Sequence, residues 1–190
     1  MNAIVEETIP FFLKAIIALL KTYANDIKEH YPMDHRGLLP LNGVELYLSR
    51  EYSYFYLSFR STIRNLRSRK GHDSRADENE YGLQGPSWYK EVPEQNVAVQ
   101  HMKSINEQIG SSKVKSSCIN HLLFLSAAEA LIHPDFTKEL VELKINAPLV
   151  ENSFLHDDFE YMVFDENAST IVNYCEHILL NRITAKCKNA

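Results

Sequence analysis

A chain of 190 residues, 45% hydrophobic and 24% charged with a formal net charge of −5, has the make-up of one globular domain over residues 1–190, and this size buries about 70% of the unfolded surface without disulfides or metal. Three cysteines, Cys118, Cys175 and Cys187, with no close Cys pair or Cys/His ladder, exclude a disulfide framework and a zinc knuckle and point to a reducing cytoplasm. The longest apolar run, Ile9 to Leu20, is interrupted by Pro10 and Lys14 and preceded by Glu6 and Glu7, so it is too short to span a bilayer and wrongly charged for an export signal; no membrane association is expected.

The first predicted helix runs from about Thr8 to Tyr31. Ile9, Phe12, Ile16, Leu20, Tyr23 and Ile27 recur three and four apart, as one buried face requires, with Thr8 as N-cap and Pro10 in the first turn. Pro32, Gly37 and Pro40 then mark a turn-rich stretch. The second element spans about Val44 to Arg69. Leu48, Tyr52, Phe55, Phe59, Ile63 and Leu66 step by four, three, four, four and three, which predicts a helix, although residues 52–57 are aromatic enough for a strand.

A long loop over 70–95 follows, carrying Gly71, Gly82, Gly85, Pro86 and Pro93; loops of this length are functional or mobile. Further helices are predicted over about 94–109, 119–132, 136–145 and 169–187, while 159–164 fits either a short strand or a helical turn. The segment after Ser116 and Ser117 is apolar nearly all round, as the central helix of a bundle would be. The expected fold is an all-α, single-domain bundle of five to six helices with the long loop after the second, one small strand pair being left open.

Charge is distributed unevenly. Arg60, Arg64, Arg67, Arg69, Lys70 and Arg75 fall within sixteen positions opposed only by Asp73, which leaves 14 basic and 24 acidic side chains, or −10, on the rest. A positive patch on an acidic body attracts anions or an acidic partner face. On a helix, Tyr56, Arg60, Arg64 and Arg67 form one row beside the apolar stripe, suited to a phosphate backbone with an unstacked base. The plainer reading is a solvated face whose cations complement a helix C-terminus.

Arg67 and His72 are separated by four residues, a spacing that resembles the Arg-x4-6-His signature of the HEPN helical ribonucleases. The resemblance implies metal-free RNA cleavage with His72 as acid or base and Arg67 as phosphate ligand. Ser68 stands where that family commonly has Asn or Asp, and Gly71 places His72 in a loop.

Cys118, at a predicted helix start, is a candidate nucleophile with His133 or His156, but a Cys opening an apolar helix is more often a small buried residue. Glu129 and His133, one turn apart with His121 two turns before, have the spacing of a metal grip without a matching motif elsewhere. The dipeptides His72-Asp73 and His156-Asp157 lack the helical setting of HD phosphohydrolases. Trp88, within Gly85-Pro86-Ser87-Trp88-Tyr89, suits either an interaction anchor or a loop pinned to its own core.

The expectation is therefore a cytoplasmic, non-enzymatic interaction protein: a small subunit, adaptor or immunity- or antitoxin-type inhibitor. It needs no cofactor or metal and binds a protein partner through Tyr56, Arg60, Arg64, Arg67, Arg69, Lys70 and Trp88. The alternatives are the HEPN-like RNase and a non-catalytic RNA- or DNA-binding protein using the basic stretch 60–75.

Overall fold

The structure, a computed structural model, describes residues 3–31, 33–49, 54–61, 80–82, 92–110, 116–145, 159–164 and 173–188. Helices α1 (Ala3–Thr22) and α2 (Ala24–His30) open the chain, followed by strands β1 (Leu41–Ser49), β2 (Tyr54–Ser61) and β3 (Glu80–Gly82). Helices α3 (Pro93–Gly110), α4 (Ser116–Leu131) and α5 (Pro134–Glu142), strand β4 (Glu160–Met162) and helix α6 (Tyr174–Lys188) complete it. The architecture is mixed α/β, not the all-α bundle that residue spacing predicts.

The correction falls on one element. Of the helix expected over 44–69, residues 44–49 and 54–61 are described, and they are strands: β1 and β2 pair antiparallel, with Val44 opposite Phe59, Leu46 opposite Leu57 and Leu48 opposite Phe55. These six side chains are all buried and alternate with less buried neighbours, the period-2 pattern of a sheet with one face on the core. The helical reading fails because Phe55 and Phe59, four apart, share a face in a helix and in a strand alike.

Within 159–164, residues 160–162 form strand β4, which runs parallel to β1 and gives the sheet order β3-β2-β1-β4. Of the loop expected over 70–95, residues 80–82 form β3 beside β2, and α3 begins at Pro93.

The helices otherwise follow their apolar spacing. In α1, Val5, Thr8, Phe12, Ala15, Ile16, Leu19 and Leu20 make the buried face. Thr8 is inside the helix rather than its cap, donating to the Ile4 carbonyl at 2.6 Å. Pro10, with no N–H to give, sits on the exposed side. Tyr23 interrupts α1 and α2 only locally, because the helical bonds Tyr23 N–H to Leu19 and Ile27 N–H to Tyr23 persist at 3.0 and 2.9 Å.

The turn before β1 is set by Asp34, whose carboxylate accepts from the backbone N–H of Arg36 and Leu38 at 2.8 and 3.0 Å, with Gly37 at φ +72° supplying the left-handed corner. At the end of α5, Lys144 adopts φ 68° and its carbonyl accepts from Leu39 N–H, tying that helix to the entry of β1.

Helix α1 packs on α3 and α4, which also touch each other, and α4 packs on α6; α1 meets the sheet at β2, α4 at β1 and β4, and α6 at β4. Phe12 of α1 meets Phe55 of β2 edge to face, with ring centroids 5.4 Å apart, in the core between helix and sheet. Ala127, Ala128 and Ala130 of α4 are fully buried, and these small side chains let α4 pack closely against its neighbours. Among the described residues, no helix is long and apolar enough to cross a membrane.

Candidate interaction surface

Alternation along β1 and β2 puts a second set of side chains on the face turned away from the helices. The register aligns Gly43 with Arg60, Glu45 with Ser58, Tyr47 with Tyr56 and Ser49 with Tyr54. From β4, Glu160 and Met162 join Gly43 and Glu45 on that face. Tyr47 and Tyr56 stack directly across the strands with centroids 4.7 Å apart, and Tyr54 lies 6.3 Å from Tyr56 with its ring 11° from parallel. All three rings are partly exposed. Cross-strand aromatic pairs of this kind stabilise a sheet by roughly 0.2–1 kcal/mol each.

Beside the tyrosines, Arg60 Nη1 reaches Glu160 Oε2 at 3.2 Å, from β2 to β4 and so across β1. Gly43 makes this crossing feasible. A Cβ there would stand 3.0 Å from Met162 Cε, 3.3 Å from the Glu160 carbonyl and 3.5 Å from Arg60 Cβ. Gly43→Val should therefore lose about 1–3 kcal/mol through overpacking. Gly43→Ala, opposed chiefly by the movable end of a Met, should change stability by less than about 1 kcal/mol. Shifts in urea midpoint would distinguish the two.

Tyr56 and Arg60 thus share a face, as the sequence predicts, but it is the face of a strand. Their spacing of four is even, which preserves the side in both geometries. Arg60 is met by a carboxylate of its own chain. Arg64, Arg67, Arg69, Lys70, His72, Arg75, Trp88 and His156 lie outside the described residues. The partners Tyr47, Tyr54 and Glu160 and the role of Gly43 are absent from the sequence reading. The alternation Val44-Glu45-Leu46-Tyr47-Leu48 against Phe55-Tyr56-Leu57-Ser58-Phe59 is the signal that finds them.

The other candidate constellations separate into structural roles. Glu129 pairs with Arg182 of α6, while His133 caps α5 by accepting from Asp135 N–H at 3.2 Å, so the two do not converge on a metal. His121 contacts the Tyr174 hydroxyl at 3.2 Å. Among the described residues, no group of three or more His, Cys, Asp or Glu could hold a metal ion. The backbone of Cys118 lies in the first turn of α4, and its side chain lies outside the described residues.

Cys175 is a buried free thiol whose pKa is pushed well above its ordinary value by burial and then by the charge of Glu129, which makes it inert as a nucleophile. Thr137 and Tyr161 place their hydroxyls 3.1 Å apart, and burial, opposed by that bond, raises the Tyr161 pKa to about 12. His101 stacks on Phe11 with ring centroids 4.0 Å apart and contacts Thr8 Oγ1 at 3.2 Å. Its pKa is lowered by burial, against the pull of Glu7. Because the Thr8 hydroxyl already donates to Ile4, His101 Nε2 must carry the proton in this contact.

The described surface that combines aromatic rings, a charged pair and partial exposure is the outer face of the sheet. Comparison with known proteins finds no family model, no curated protein and no solved structure that matches this chain.

Proposed function

We propose that this protein is a non-enzymatic interaction module, a small subunit, adaptor or immunity-type inhibitor that holds one cytoplasmic protein against the outer face of its sheet. The observation that carries this reading is the row of Tyr47, Tyr54 and Tyr56, three partly exposed rings with centroids within 6.3 Å of one another. Tyrosine offers a large apolar ring with a polar tip and few rotamers to freeze, which is why it recurs among the residues that dominate interface energies.

A row of rings also stacks unpaired bases. On the described part of this face, Arg60 is already met by the carboxylate of Glu160, so it attracts a phosphate chain less than an unpaired guanidinium would, and we favour a protein partner.

The immobilised wild-type chain should retain one stoichiometric protein from its native cell. The double variant Tyr47→Ser/Tyr56→Ser should lose it while its stability falls by no more than about 1 kcal/mol. Retention undiminished by the double variant, or salt-sensitive binding of single-stranded RNA in place of a protein, overturns the reading.

A further inference from the structure

We draw no further inference here: the strongest candidate, the surface patch of Leu180 and Ile183 on the exposed end of α6, carries nothing because nothing in the structure shows what covers it.

Discussion

Phe12→Ala should lower the stability of this protein by about 3–5 kcal/mol, the cost of truncating a fully enclosed aromatic ring in a core that cannot collapse onto the space. Phe12 is 1% exposed, and its ring meets that of Phe55, also 1% exposed, edge to face at 5.4 Å. The pair is a direct contact between α1 and the sheet, so its loss removes both buried area and an aromatic contact of roughly 0.5–1.5 kcal/mol. Natural domains have about 5–15 kcal/mol in total, and at this size each kcal/mol corresponds to about 2–4 °C in Tm. The variant should therefore melt some 6–20 °C below wild type. Val97→Ala, at a position 55% exposed on α3, should stay within about 0.5 kcal/mol and serves as the control. A Phe12→Ala loss below about 1 kcal/mol, read from urea unfolding, would show that α1 does not pack on β2 as described.

The same contact explains what the sequence could and could not convey. Helices were legible wherever apolar residues recur three and four apart over many turns. Thus α1 with α2, α3, α4, α5 and α6 all fall close to their expected positions, with ends displaced by a few residues. Each of these spacings is forced by burial of one helical face and needs no distant partner to be read.

The sheet was not legible in this way. Leu48, Phe55 and Phe59 face the core from two strands, and as one linear series they imitate a single helical stripe. Only the pairing of β1 with β2, a relation between residues distant in sequence, separates the two readings, and aromatic strands owe their preference to such neighbours rather than to backbone propensity. The candidate surface inherits the same limit. Tyr56 and Arg60 were found because a spacing of four keeps one side in either geometry. Tyr47 and Glu160 were not, since they join that face only through register. The ion pair between Arg60 and Glu160 joins residues a hundred positions apart, which no local pattern encodes.

Asn173→Ala should cost about 2–4 kcal/mol, although the residue is polar and only partly buried. Its side chain is a three-way connector. The amide oxygen accepts from Cys175 N–H at 3.1 Å, which caps the start of α6, and from Val163 N–H at 3.3 Å, while the amide nitrogen donates to the Tyr161 carbonyl at 2.9 Å. A lost N-cap costs about 1 kcal/mol, and each buried backbone group left without its partner adds about 1–3 kcal/mol. Val163 is fully buried, so water cannot readily replace the amide oxygen there.

Asn173→Asp keeps the acceptor for both N–H groups and places negative charge at a helix N-terminus, but sets a carboxylate oxygen against the Tyr161 carbonyl; it should recover part of the loss. Urea midpoints would rank wild type above Asp and Asp above Ala, and amide exchange at Cys175 should accelerate in Asn173→Ala beyond the global change. Because the buried contacts of α6 are concentrated between Tyr174 and Leu179, this cap anchors the half of the helix from which the exposed end projects. Asn173→Ala should leave capture by the tyrosine face intact. An alanine variant within about 0.5 kcal/mol of wild type would mean that the backbone of α6 begins securely without its cap.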